Sequence, residues 1–367
     1  MTPTEAFLIL NLLPKLGPIR VQRLLEVFTC PTGIFGASLR ELQEVPGIGP
    51  EMAEQIYRWE SLIDLPEEQR RIADHGVRLL TWLDPDYPAA LRTIYDPPFL
   101  LYMRGTLIPG DAAAIGVVGS RRTSHYGREQ ARRLSFQLAR AGYCIVSGLA
   151  RGIDTAAHEA ALAAQGRTIA VLGSGIGNVY PPENVPLVER IVERGAVLSE
   201  FPVLYVPDKQ SFPLRNRIVA GLSRGLLVVE APARSGSLIT ANQALEQGRT
   251  VFAVPGPIDR PHSEGCHRLI RQGATLVCDA QDIIDDLDVE FGSLGLDFST
   301  PAPPASRVQL NENEAKIFQE LEQGECLIDT LAERTGLPVG LLGATLLQLE
   351  MKRLVKQLPG KYFTKLI

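Results

Sequence analysis

Residues 112–122 read Ala-Ala-Ala-Ile-Gly-Val-Val-Gly-Ser-Arg-Arg, an apolar run that stops at a glycine and turns directly into two cations. Tyr126–Arg140 beyond it has helical spacing, and the pattern then repeats. Apolar runs at Tyr143–Gly148, Thr168–Gly173, Ala196–Ser199, Gly225–Glu230, Thr250–Pro255 and Ala274–Cys278 alternate with helix-length stretches such as Thr155–Gln165, Pro213–Gly221 and Leu238–Gln247. Strands without polar alternation are buried on both faces, and strands alternating with helices build a parallel sheet covered on both sides. The expected core is therefore an α/β, Rossmann-like parallel sheet over residues 76–284. Residues 77–110, with Pro85, Pro88, Pro97 and Pro98, read as an irregular approach to that sheet with room for an edge strand.

The flanks are different. Residues 1–75 read as short helices broken by glycine turns, and two stretches rhyme: Leu13–Leu25, turning at Gly17-Pro18, and Val45–Ile56, turning at Gly49-Pro50. Each places a Pro at a first helical position and then apolar residues at helical spacing. This is the outline of an all-helical domain of the SAM or helix-hairpin-helix type, serving DNA phosphates through backbone N–H groups or serving only for packing. Residues 285–306 turn acidic and then proline-rich, as linkers do. After them Asn311 offers a helix N-cap, and short helices followed by the hairpin-like pair Leu354–Gln357 and Tyr362–Leu366 outline a winged helix over 307–367. Its Pro338–Arg353 helix is mostly Leu, Gly and Ala, a poor base-reading face, so protein is as good a partner as duplex DNA.

The chain has 367 residues, 45% hydrophobic and 22% charged, with a net charge of −5. That is a globular composition. The longest apolar runs are far short of the ~20 residues that span a bilayer, and Phe7–Leu13 has no preceding Lys or Arg, so no signal peptide or membrane association is expected. Five scattered cysteines without a CxxC pair argue against disulfides and fit a reducing cytoplasm. His262, Cys266, His267 and Cys278 match no standard zinc spacing, and Cys278 closes what reads as a buried strand. The charge is unevenly spread: residues 1–75 are net −4, 76–284 net +4 and 285–306 net −5. Of the 22 cations in the central segment 21 are Arg, the exception being Lys209. Arg forks phosphate bidentately and stacks on bases, which suits an anionic ligand.

Nearly every central strand ends in small or polar residues: Gly119-Ser120-Arg121-Arg122, Ser147-Gly148, Gly173-Ser174-Gly175, Ser199-Glu200, Glu230 leading to Ser235-Gly236-Ser237, and Pro255-Gly256. Ligands of open parallel sheets sit beyond these carboxyl ends, where strand order reverses. Glycines let a backbone come close, and the helix starts that follow favour anions. No cofactor is expected: Gly173-Ser-Gly175-Ile-Gly177 has the wrong spacing for a dinucleotide fingerprint, and a phosphate-binding P-loop is absent. The segment Lys209-Gln-Ser-Phe212-Pro-Leu-Arg215-Asn216-Arg217 combines cations with an aromatic ring, which is how single strands are held without base readout. Phe212 packed in the core and Arg215 bracing the sheet is the alternative.

The runs Val118-Gly-Ser-Arg121, Ser147-Gly-Leu-Ala-Arg-Gly-Ile-Asp154, Phe212-Pro-Leu-Arg-Asn-Arg217 and Glu230 followed by Ser235-Gly-Ser-Leu-Ile-Thr-Ala241 resemble the DNA-processing protein A family. The resemblance spans the central domain, and the helical and winged-helix flanks agree with the family plan. It implies a homodimer that binds single-stranded DNA and loads the RecA recombinase onto it during natural transformation. It also implies Arg121 as a phosphate-binding arginine, Lys209 as a DNA-contacting lysine and Phe212 as a base-stacking ring. Gly119, Ser120, Gly148, Ser174, Arg215 and Asn216 would line the same site. Dimer contacts would fall around Cys266–Val277, where many relatives carry Asn and this chain carries His267.

Asp154 and His158, four apart on a helix beside the crevice, invite an acid–base reading. No nucleophile or second carboxylate joins them at a recognisable spacing, so a fixed Asp154–His158 hydrogen bond is expected, and Glu200 and Glu230 are expected to orient backbone N–H groups. The expected protein is not an enzyme. The competing reading is a nucleoside-monophosphate phosphoribohydrolase of the lysine-decarboxylase-like type, whose glycine-rich signature this chain lacks.

Overall fold

A computed structural model describes residues 1–291, 311–321, 324, 326–352, 354–358 and 360–365. These residues belong to two compact units, divided at Leu296/Asp297.

The first unit is built on a nine-stranded sheet. Its strands are β1 (Arg78–Thr81), β2 (Leu100–Gly105), β3 (Ala114–Val118), β4 (Cys144–Ser147), β5 (Thr168–Leu172), β6 (Ala196–Ser199), β7 (Gly225–Val228), β8 (Thr250–Ala253) and β9 (Thr275–Leu276). The order across the sheet is β1-β2-β6-β5-β4-β3-β7-β8-β9. From β6 to β9 every pairing is parallel, while β2 pairs antiparallel with both β1 and β6. The approach segment thus supplies two strands where one edge strand was expected. Its prolines fall between β1 and β2, where no ladder N–H is lost.

The unbroken apolar runs are explained by burial on both faces. Along β3, Ala114 and Val118 enter one core while Ile115 and Val117 enter the other. Val251 and Ala253 of β8 join the first of these and Phe252 the second. Side chains alternate with period two, so a strand covered on both sides shows no polar alternation. The last strand is shorter than its sequence run: Val277 is buried, but Leu276 and Cys278 are exposed at the sheet edge.

The seven helices between Pro3 and Asp74 do not have a core to themselves. Phe7, Leu8 and Leu10 share one hydrophobic cluster with Phe99, Tyr102, Leu172 and Val197 of the sheet region. Phe7 meets Trp82 edge-on at 5.9 Å between ring centroids and lies 5.9 Å from Phe99. The two rhyming turns behave as read, with Gly17 and Gly49 as N-caps before Pro18 and Pro50. Arg20 and Arg23 of the first repeat donate to the carbonyls of Gly47 and Pro46 in the second, so the repeats clasp one another.

The acidic stretch expected to be linker begins inside a helix, Ala280–Phe291. Residues 292–310, which hold the proline-rich part, lie outside the described residues. The second unit has helices Glu312–Glu320, Ile328–Thr335 and Val339–Met351 and a small antiparallel sheet of order β10-β12-β11, with β10 Cys326–Leu327, β11 Val355–Leu358 and β12 Tyr362–Lys365. Asn311 and Glu314 form a capping box, and the buried Glu314 carboxylate also accepts from Lys352 Nζ at 2.7 Å. Ile317, Leu331, Leu346 and Phe363 lie in its core.

Phe7→Ala deletes a fully buried ring that joins the N-terminal helices to the sheet, at an expected cost of about 3–5 kcal/mol. Chemical unfolding should show the transition of the whole first unit moving down together. A sheet transition left in place would mean that residues 1–75 fold as a separate domain.

Candidate functional site

The chain enters the parallel part of the sheet at β3, moves outward through β4, β5 and β6, then returns to β7 on the other side of β3. Between β3 and β7 the connections leave in opposite directions, and beyond the strand ends a crevice opens there. Its volume is about 640 Å³, and its wall comes from the turn after β3 (Gly119–Arg122), the turn after β4 (Gly148, Ala150), the helix Ser211–Leu222 (Phe212, Arg215, Asn216) and the turn after β7 (Arg234–Ser237). Lys209 stands just before that helix, on the same wall.

Close backbone contacts shape the wall. A side chain at Gly119 would meet Ile153 at 2.5 Å and the Glu230 carbonyl at 2.9 Å, so only glycine lets the β3 turn lie against β7. Ser120 N–H donates to that same carbonyl at 2.8 Å, and Ser120 Oγ accepts from Arg122 N–H at 3.2 Å. The space beside Gly148 is filled by the Arg215 guanidinium. Arg215 is buried, and Nη1 donates to the carbonyls of Gly148 and Val171 while Nε donates to Asn216 Oδ1 at 3.1 Å. Burial lowers the guanidinium pKa from 12.5 to about 10, opposed by the charge of Asp154, so it remains a cation at neutral pH.

Arg121 holds its guanidinium 4.7 Å from the centroid of the Phe212 ring. The ring's other neighbours include Gly173, whose missing side chain leaves room for it, and Tyr180, 5.9 Å away between centroids. Phe212 is thus half-buried and edges the crevice rather than vanishing into the core. Arg215 does brace the sheet, and it lines the crevice as well. Ser174 is the exception among the expected residues. It is buried, its carbonyl accepts from Ser199 Oγ at 2.7 Å, and it is not part of the crevice wall.

Four exposed cations stand together on this wall. Arg121, Arg122, Lys209 and Arg234 line it without a carboxylate partner among the described residues. Elsewhere Arg217 is held by Glu200 at 2.6 Å and Asp96 at 3.0 Å, Arg167 by Asp111 at 2.6 Å and Arg104 by Glu189 at 2.7 Å. Unpaired cations around a concave, partly apolar wall focus a positive field on it. Arg122 of the first rim turn lines the site as well, while Arg234, and Tyr180 beside Arg151 at the edge, join it through the tertiary structure.

The carboxylates at the strand ends serve the loops. Asp154 Oδ2 accepts from the N–H groups of Gly148 at 3.2 Å and Ala150 at 3.3 Å, and burial raises its pKa. Glu230 Oε2 accepts from Thr123 Oγ1 at 2.6 Å and Ser124 N–H at 2.8 Å, at the start of the helix His125–Arg140. Glu200 does not orient backbone N–H groups as expected but forms the pair with Arg217. The expected Asp154–His158 hydrogen bond is also not made. His158 Nδ1 lies 2.7 Å from Thr168 Oγ1, whose own proton goes to the Ile145 carbonyl at 2.6 Å. His158 must therefore donate through Nδ1, which leaves Nε2 bare and buried without a partner. Near His262 and Cys266, His267 Nε2 meets the Gly256 carbonyl at 2.9 Å, and no group of three or more His, Cys, Asp or Glu side chains among the described residues is placed to hold a metal. No helix among those residues is long and apolar enough to cross a membrane.

Residues 78–288 match the model of the family described as DNA recombination-mediator protein A. The chain belongs to this family. Residues 301–361 match its winged helix domain as well. Protein Smf from Synechocystis is 36% identical over 386 aligned positions, covering 95% of both chains. Among solved structures, DNA processing protein A from Streptococcus pneumoniae superimposes with a TM-score of 0.67 at 37% identity, over 78% of this chain and 98% of that one. DNA processing protein A from Helicobacter pylori, described for its single-stranded DNA binding mode, gives a TM-score of 0.53 at 30% identity, over 59% of this chain and 98% of the other.

Burial and the neighbouring Arg215 lower the His158 pKa from 6.5 to about 3. Its neutral ring therefore stabilises the fold fully above pH 6.5, and that stability is lost as the pH falls toward 3, because only the unfolded chain takes up the proton. The expected cost is roughly 1 kcal/mol between about pH 6 and about pH 5. Urea unfolding across this range should show a shallower decline in His158→Gln than in the parent. Equal slopes would mean that the folded chain protonates this ring freely.

Proposed function

We propose that this protein binds single-stranded DNA along the crevice, without reading its bases, and delivers the strand to a RecA recombinase in the DNA processing that accompanies natural transformation. One observation carries the reading: the Arg121 guanidinium lies over the Phe212 ring at the mouth of a crevice whose remaining exposed cations have no carboxylate partner among the described residues. A polynucleotide needs both halves of that arrangement, cations for its phosphates and a flat apolar face for its bases. Membership of a recombination-mediator family supports it, and so does likeness to the H. pylori protein with its single-stranded DNA binding mode.

Gly119, Ser120 and Gly148 contribute backbone to the wall, Asn216 a polar side chain, and Lys209 and Arg121 exposed charges. The protein acts as a homodimer through the helix Glu264–Arg271 and β9, the open edge of the sheet, where Leu276 is 45% exposed. The winged helix takes a second contact, with duplex DNA or with protein. The protein works in the cytoplasm and is not an enzyme. Asp154, Glu200 and Glu230 are each engaged in holding structure, which speaks against a phosphoribohydrolase that would need a free acid at this rim.

Titration with oligothymidine at several salt concentrations tests the assignment. Arg121→Ala and Lys209→Ala should each weaken binding and reduce the slope of log K against log salt by about 0.7, one phosphate on a single strand. Phe212→Ala should cost about 1–3 kcal/mol with the slope unchanged. Parental affinity in all three variants would remove the crevice from consideration, and tighter binding of duplex than of single strands would remove the substrate.

A further inference from the structure

The Arg121–Phe212 stack does not end at the crevice. Phe212 meets Tyr180 at 5.9 Å with the ring planes 52° apart, and Arg151 stands over Tyr180 with its guanidinium 5.6 Å from the ring centroid. A cation, two rings and a second cation therefore form a continuous chain of contacts that leads from the crevice to Arg151. Tyr180 is 39% exposed, so part of its ring is free to take a base. The two rings, 52° apart, are too tilted to hold one base between them.

The outer end of this chain of contacts is anchored as well as the inner. Asn184 in the Tyr180 loop donates to the Leu149 carbonyl at 2.8 Å and to Thr155 Oγ1 at 2.9 Å, tying that loop to the turn that carries Arg151. Arg151 is exposed, and Glu183 grips it in a bidentate fork: Nε donates to Oε1, and Nη2 to Oε2 at 3.0 Å. This pairing holds the Glu183 carboxyl below the usual carboxylate range. A phosphodiester offers the same pair of anionic oxygens to the same fork. Exposed carboxylate–arginine pairs are weak, so a phosphate that arrives with its base already stacked displaces Glu183 at little cost.

We propose that Tyr180 and Arg151 form a second nucleotide subsite next to Phe212, with Tyr180 stacking the adjacent base, Arg151 taking its phosphate, and Glu183 occupying the phosphate position until the strand arrives. This rests on the single-strand reading of the crevice. It adds an internal competitor: Glu183 keeps Arg151 neutralised in the free protein and lowers its attraction for other anions.

The experiment uses the full chain and oligothymidine of about 16 nucleotides, enough to fill both subsites. Tyr180→Ala should weaken binding by about 5- to 150-fold with the salt slope unchanged, and Tyr180→Phe should restore it. Glu183→Gln should act in the opposite direction, tightening binding at low salt and steepening the salt slope by about 0.7, because Arg151 now neutralises a phosphate without giving up a carboxylate. Glu183 is exposed, so its substitution does not endanger the fold. If either Tyr180→Ala or Glu183→Gln binds like the parent, or Glu183→Gln binds more weakly, the subsite is wrong. With Phe212→Ala impaired in the same titration, such a result leaves the crevice reading standing. A parental Phe212→Ala would instead bring down that reading itself.

Discussion

One buried charge organises the binding wall. Arg215 reaches from the helix Ser211–Leu222 under the sheet rim and donates to the carbonyls of Gly148 and Val171, at the ends of neighbouring parallel strands. Asp154 accepts from the N–H groups of Gly148 and Ala150 and supplies the compensating negative field. A guanidinium taken from water costs several kcal/mol unless its donors are satisfied, and removing one partner of such an arrangement is more costly than never building it. The helix is thereby fixed in rotation, and Phe212, three residues before Arg215 and so on a neighbouring face, is set at the crevice edge. Gly148 has to be glycine because the guanidinium occupies the space its side chain would take.

From that constraint follows a division of labour among the cations. Arg215 and Arg217 are structural: both are buried, the first spent on carbonyls and the second on Glu200 and Asp96. Arg121, Arg122, Lys209 and Arg234 stand on the same wall with no carboxylate at salt-bridge distance among the described residues, Asp154 lying beyond them on the loop backbone. Proteins seldom leave several cations together unpaired, since they repel one another and neutralise nothing. On the proposed reading, a polyanion would resolve the repulsion, with counterion release as the driving force. Arg151 is the intermediate case, an exposed cation held by the Glu183 carboxylate.

The acidic groups at the rim illustrate how little a residue's type says about its work. Asp154 and His158 occupy one helix face four residues apart, yet they serve different partners, a loop backbone and Thr168. Glu200 and Glu230 both end strands, but one pairs with an arginine and the other caps the turn into a helix. Helical spacing brings side chains to the same face. It does not choose between a neighbour on that helix and a hydroxyl on the strand it packs against.

The parallel sheet, its strand positions and the glycine-rich rim were legible in the amino-acid order. Burial on both faces leaves a local mark, an apolar run such as Ile115–Val118 closed by Gly119, and local marks survive in sequence. So do the capping box at Asn311 and the Gly-Pro turns at 17 and 49. The motif resemblance pointed to Arg121, Lys209 and Phe212 as site residues, and the fold sets them on one wall. Long-range packing decided the rest. The cluster around Phe7, with Asn11 donating to the Glu200 carbonyl and Glu68 accepting from Val203 N–H, joins residues 1–75 to the sheet, and the strand order β6-β5-β4-β3-β7 makes a crevice between Gly119 and Arg234. Ser174 shares the glycine-rich setting of its neighbours but is buried off the crevice wall, its carbonyl engaged by Ser199 Oγ. Tyr180 carried no pattern of its own, and it meets Arg151 only where two loops from different strands are tied by Asn184. Such contacts depend on which elements become neighbours in space, and no local periodicity encodes that choice.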